Sequence, residues 1–207
     1  GLIETKRSLF EHWTHDASVI PVAWFPHWRH RFERFRARFQ DNAWLRERLG
    51  PRYGVVLDRV RERVRREGPV RARDVGGRKE LKELEELEES TRRKEKEKGW
   101  WSWTPQKAAL EVLWRAGELA IARRERFEKV YDLMERVYPE AHGRPAPEAA
   151  DHVEWACRSA LDRLGVATTG EIAAFWRAVG PAESRRWCAE SARRDAIEEV
   201  VVEAVDG

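Results

Sequence analysis

Four side chains able to move protons or orient water stand close together at Glu11, His12, His15 and Asp16, in the stretch LFEHWTHDASVIP. The carboxylates could position a water or steady a developing positive charge, and the imidazoles could touch a phosphate or a departing group. Trp13 between them offers a face on which a ring could stack. The alternative is that Trp13 and His15 are simply packed in a core. His12 and His15 are three apart, which on a helix would put them on one face, and His27 and His30 repeat that spacing. Such pairs invite a metal, but they lack a fixed third ligand, an HExxH motif or a cysteine partner. No metal and no cofactor is expected.

A second group is cationic and lies within 99–133. That stretch opens with Trp100, Trp101 and Trp103, then Thr104 as an N-cap and Pro105 in a first helical turn. Leu110, Leu113, Trp114 and Gly117 recur at helical spacing, with Gly117 closing the helix. Two β-prone runs at 119–122 and 127–133 follow, separated by the charged turn Arg123, Arg124, Glu125, Arg126. A helix feeding a hairpin with a basic tip is the second half of a winged helix, which sets the helix in a DNA groove and the wing on the backbone. The residues expected to touch DNA are Trp103, Thr104, Lys107 and Arg115 on the helix, and Arg123, Arg124, Arg126 and Lys129 on the wing. The competing reading is a packed helix and hairpin with a solvated turn.

The elements that would position these groups are mainly helical, with small β wings. Residues 1–54 read as an N-terminal helical segment. Within it Trp28, Phe32, Phe35 and Phe39 line one helix face, and Arg29, Arg31, Arg34, Arg36 and Arg38 occupy the others. Residues 55–139 read as a winged helix: a helix with Leu57, Val60 and Val64 inward, a short strand at Val70, a turn-like helix at 72–75, the groove helix and the wing. It carries a charged insertion at 76–98, which holds five of the eight lysines and Leu81, Leu84 and Leu87 at every third position. Residues 140–147 read as a linker. Residues 148–207 repeat the order, with helices at 148–164, 169–176 and 181–193 and strands at Val166 and 197–205. They therefore predict a second, degenerate winged helix in a tandem architecture.

The bulk numbers narrow the partners. The net charge of +3 hides an asymmetry: residues 140–207 hold 13 acidic and 8 basic residues, while 29–66 hold 13 arginines against 5 acids. A basic front suits a polyanion, and the acidic back suits scaffolding. No apolar run is long enough to span a membrane. Cys157 and Cys188, without a CxxC motif, give neither a disulfide framework nor a zinc site, so a cytoplasmic protein is expected. The chain opens on Gly1 and its one methionine is Met134, so sequence upstream of Gly1 is expected.

Three motifs, LFEHWTHDASVIP at 9–21, GWWSWTPQKAALEVLWRAGEL at 99–119 and RFEKVYDLMERVYP at 126–139, resemble the winged-helix crosslink-repair DNA glycosylases (AlkZ/YcaQ-like). GVATTGEIAAFWR at 165–177 fits a later winged helix of that family. The resemblance covers nearly the whole chain outside 76–98. It implies tandem winged helices that wrap duplex DNA and hydrolyse the N-glycosidic bond of bulky alkylated or crosslinked purines without a metal. It also implies a Gln-x-Gln or Gln-x-Asp motif, upstream of the segment resembling 9–21, that positions water. The glutamines of this chain, Gln40 and Gln106, stand in no such motif. No catalytic glutamine is assigned here, and Glu11, His12, His15 and Asp16 remain the candidates.

Three functions compete: a monomeric DNA repair glycosylase or its DNA-binding portion, a non-enzymatic winged-helix regulator, and a protein-binding scaffold. A regulator should carry a dimerisation helix or effector domain, and neither is evident. Affinity for duplex DNA that ignores salt would count against the first two.

Overall fold

The computed structural model describes residues 1–39, 43, 47, 49, 52–75 and 104–202. The insertion at 76–98 and Trp100, Trp101, Trp103 and Gln40 lie outside them. The chain divides into two compact units, Gly1–Pro145 and Ala146–Gly207. Its described elements are mostly helical, with two small antiparallel sheets in the first unit.

The first unit opens on a hairpin rather than a helix. Strands β1 (Leu9–Trp13) and β2 (Ala17–Pro21) pair with Phe10 opposite Ile20 and Trp13 opposite Ala17. Phe10 and Ile20 are both buried, so the strand period of two, not the helical one, satisfies their side chains. The shared helical face expected for His12 and His15 therefore does not form. His12 sits in β1 and His15 in the turn. A short 3-10 turn at Val22–Trp24 leads into α1 (Phe25–Phe39), whose stripe of Phe25, Trp28, Phe32 and Phe39 is buried.

Helix α2 (Tyr53–Glu67) turns Val56, Val60 and Val64 inward and ends at Gly68, whose φ of +82 suits a residue without Cβ. Next come β3 (Val70–Arg71), α3 (Ala72–Val75) and α4 (Pro105–Arg115). After Gly117 the chain forms β4 (Leu119–Glu125) and β5 (Glu128–Leu133), and the sheet order is β3-β5-β4. The strands run further than expected. Arg123 and Arg124 lie in β4, opposite Val130 and Lys129, and the turn shrinks to Arg126 and Phe127. The register shifts between Ile121 and Arg123, leaving Ala122 as the extra residue. The Ala122 carbonyl accepts instead from Arg7 Nη1 at 2.6 Å. Two short helices, α5 (Met134–Val137) and α6 (Pro139–Gly143), finish the unit, so the start of the expected linker is helical.

The second unit contains α7 (Ala149–Leu164), α8 (Thr169–Trp176) and α9 (Pro181–Arg193) around Cys157, Ala160, Ile172 and Trp187. Thr168 and Glu171 form a capping box at α8. Trp187 Nε1 donates to Glu154 Oε2 at 2.5 Å, and Trp176 Nε1 to Ser159 Oγ at 2.9 Å. The strands expected at Val166 and 197–205 are absent among the described residues: Val166 is 62% exposed and 197–202 are irregular. A lone valine or a valine run has no ladder partner where the described elements of its unit are all helices.

Candidate nucleic-acid interface

The helix expected to enter a groove is α4. Its start is as anticipated, with Thr104 Oγ1 accepting from Lys107 N at 3.2 Å and Pro105 at the first position. Its body is not. Gln106 and every residue from 108 to 114 are buried. A helix buried on all sides belongs to a core. One side meets α2 and the sheet, within the same apolar cluster as Val56, Val60, Val64, Ile121 and Tyr131. The other side is covered by β1. Trp114 Nε1 donates to the Glu11 carbonyl at 3.1 Å, and the Arg115 guanidinium lies 4.1 Å from the centre of the Trp13 ring. That packing leaves little of the helix body to enter a groove. Only its first turn, with Thr104 and Lys107 exposed, faces outward.

Arg115 and Lys129 serve the interior. Lys129 Nζ lies 2.9 Å from Glu111 Oε1 and 3.8 Å from the centre of the Trp114 ring. Arg115 Nε is 3.8 Å from Glu111 Oε2, and burial lowers the pKa of its guanidinium. Glu111, which the sequence reading passed over, anchors this cluster from inside α4. Its only advance signal is a glutamate interrupting an apolar run.

The four residues offered for proton chemistry do not converge. His12 is 2% exposed, with both nitrogens engaged. Nδ1 accepts from Trp28 Nε1 at 3.1 Å, and Nε2 donates to the Trp114 carbonyl at 3.0 Å. Burial pulls its pKa down to about 3, so it is neutral and structural. Glu11 is buried on the opposite face of the strand, where its two oxygens accept from Nε and Nη2 of Arg124. His15 and Asp16 are exposed in the turn, and Asp16 Oδ1 accepts from Ala17 N at 2.7 Å.

The wing separates its cations into two kinds. Arg124 is tied to Glu11, and Arg123 donates from Nε and Nη2 to Glu125 Oε1 at 3.0 and 2.6 Å. Arg126 makes no hydrogen bond or ion pair among the described residues, and it holds a φ of +59. Beside it Phe127 is 93% exposed. The β-prone run at 127–133 predicts Phe127 as the first residue of a strand. The structure puts it at the hairpin tip instead, and a lone aromatic in an otherwise charged turn was the available clue. The tip thus offers a guanidinium free to meet a phosphate and a ring free to stack. Among the described residues no group of three His, Cys, Asp or Glu is arranged to hold a metal, and no helix is long and apolar enough to cross a membrane.

The family match supplies the class. Residues 2–207 match the family described as DNA glycosylase AlkZ-like, so the class is the DNA glycosylases, for which DNA is the substrate. No solved structure matches the chain. With the match running across 2–207, the chain belongs to the AlkZ-like DNA glycosylase family.

Proposed function

We propose that this chain grips duplex DNA, as a monomer, for excision of bulky alkylated or crosslinked purines by N-glycosidic hydrolysis. The family match over 2–207 is the observation that carries the reading. The first unit is read as a winged helix, supported by the order α2, β3, α3, α4, β4, β5 and the strand order β3-β5-β4. Residues 148–207 are read as a degenerate repeat with a scaffolding role.

In this reading DNA is held by the wing tip and the first turn of α4, not by the body of that helix. Arg126 and Phe127 are the principal contacts, with Thr104 and Lys107 beside them and Arg123 and Arg124 recruited through their remaining N–H groups. Trp103 joins them through its place next to Thr104 in the sequence. A non-glycine residue at a φ of +59 is strained where glycine would not be, which supports a use for the side chain of Arg126. Arg115 and Lys129 keep the surface in place from behind. Catalysis is not assigned to Glu11, His12, His15 or Asp16.

A second reading, DNA binding without chemistry, is favoured by one fact: neither Gln40 nor Gln106 stands in a Gln-x-Gln or Gln-x-Asp motif. The test is duplex binding across a salt series together with base release from duplex carrying a bulky N7-alkylguanine. Affinity should fall steeply with salt, with a log–log slope of roughly −0.9 per phosphate engaged. Salt-independent affinity would refute both readings. Tight binding without base release would select the second.

A further inference from the structure

A cleft of about 340 Å³ opens in the first unit between α1 and α2, away from the wing tip. Its floor is the turn that follows α4, where the Phe32 ring lies so close to Gly117 that a Cβ there would come within 2.4 Å of Phe32 Cδ2. One wall is a closed ion pair, with Arg61 donating from Nε and Nη2 to Glu118 at 2.6 and 3.1 Å. Arg65, also on the wall, is paired with Glu62 at 2.9 Å. Those cations are compensated.

Two others are not. Arg29 and Arg36 both line the cleft, and their hydrogen bonds among the described residues go only to backbone carbonyls. Arg29 Nη2 donates to the His142 carbonyl, and Arg36 Nη1 to the Ala116 carbonyl at 2.5 Å. Neither acceptor carries a charge. Arg29 Nε is moreover sealed from solvent and has no hydrogen-bond acceptor among the described residues. A buried cationic donor without an acceptor is costly, and an anion oxygen in the cleft would supply one. The carboxylates of Glu33 and Glu135 also line the cleft; both are exposed, as is Arg36, so water screens all three and Arg29 is the more buried of the two arginines.

We propose that this cleft is a phosphate site in which Arg29 and Arg36 share one phosphate group. Two planar guanidiniums match the geometry of a tetrahedral oxyanion, and the volume is at the small end for ligand pockets. The phosphate comes either from a nucleic-acid backbone or from a free phosphate or small phosphoester. The site itself does not depend on the duplex reading.

The test uses the whole chain and inorganic phosphate, titrated at constant ionic strength against chloride. Arginine Nε–H resonances are followed by NMR, with the Arg29 signal identified by its loss in Arg29→Lys. Its resonance should shift saturably, and Arg36→Gln should weaken phosphate about tenfold, the loss of one charge-assisted hydrogen bond. Arg36→Lys, which keeps the charge, should recover part of that affinity, and Arg59→Gln on the exposed side of α2 should change nothing. No saturable shift, or equal affinity in Arg36→Gln, overturns the site. A duplex arm then names the source. If Arg36→Gln also lowers the salt slope of duplex binding by about 0.9, the phosphate belongs to the backbone; an unchanged slope assigns the site to a small phosphate compound. Failure of the native chain to bind duplex would refute the DNA reading and leave the phosphate result standing.

Discussion

Acid should loosen the first unit through a single imidazole. His12 lies inside the protein between Trp28 and Trp114, with Nδ1 as an acceptor and Nε2 as a donor. Protonating it would turn the acceptor into a donor facing the Trp28 N–H, and would leave a charge in a site closed to water. Its folded pKa is accordingly about 3, against an ordinary 6.5. The sign follows from proton counting. Between those values the unfolded chain holds the proton and the folded one does not, so stability is complete above pH 6.5 and drains away as pH falls. Moving from pH 7.5 to pH 5 should cost about 2 kcal/mol, at 1.36 kcal/mol per unit. The assay is a set of urea melts from pH 8 to pH 4.5, for the native chain and for His12→Gln. Glutamine can accept from Trp28 and donate to the Trp114 carbonyl, but it does not titrate. The variant should begin less stable at pH 7.5 and then lose about 2 kcal/mol less than the native chain over the same range. Parallel pH profiles in the two proteins, or an NMR titration of His12 near 6.5, would refute this account of the buried ring.

Gly117→Ala should cost at least about 2 kcal/mol in a denaturant melt, because the added Cβ meets the Phe32 ring at 2.4 Å and φ is +76; a loss below about 0.5 kcal/mol would show that the ring simply moves aside. Arg124→Ala strands the Glu11 carboxylate, whose side chain is only 5% exposed. The expected loss is roughly 1–2 kcal/mol, less than for a fully buried pair because Arg124 itself reaches solvent, and Glu11→Gln in the same background should return part of it. Phe127→Ser should leave the melting temperature unchanged, since the ring is 93% exposed. It should weaken duplex binding about tenfold, one stacked base at 1–3 kcal/mol; equal affinity would remove the ring from the interface. Arg126→Gly should retain the hairpin, because glycine accepts the positive φ, while reducing the salt slope of duplex binding by about 0.9.

Local rules read much of this chain from sequence. The cap at Thr104, the proline after it, the closure at Gly117 and the helices ending at Trp176 and Arg193 are decided within a few residues, by hydrogen bonds and backbone sterics. The apolar stripe on α1 follows from helical spacing in the same way. The hairpin at 9–21 is not legible in the histidine spacing, which carries no information about period when Phe10 and Ile20 prefer the alternation of a strand. The apolar pattern of α4 showed one buried face, but a sequence cannot say that the opposite face will also be covered by a strand about a hundred residues away.

That long-range covering separated the cations. Arg115, Arg124, Lys129 and Arg126 are alike on paper. Only the fold gives the first three a carboxylate or a ring inside the protein and leaves the fourth at the tip. Chain-local chemistry therefore determined which elements form and which residue types crowd the wing. Tertiary packing decided which charges are spent on stability and which remain for a partner, because a charge's partners are fixed by who is nearest in space, and that depends on every other segment of the unit.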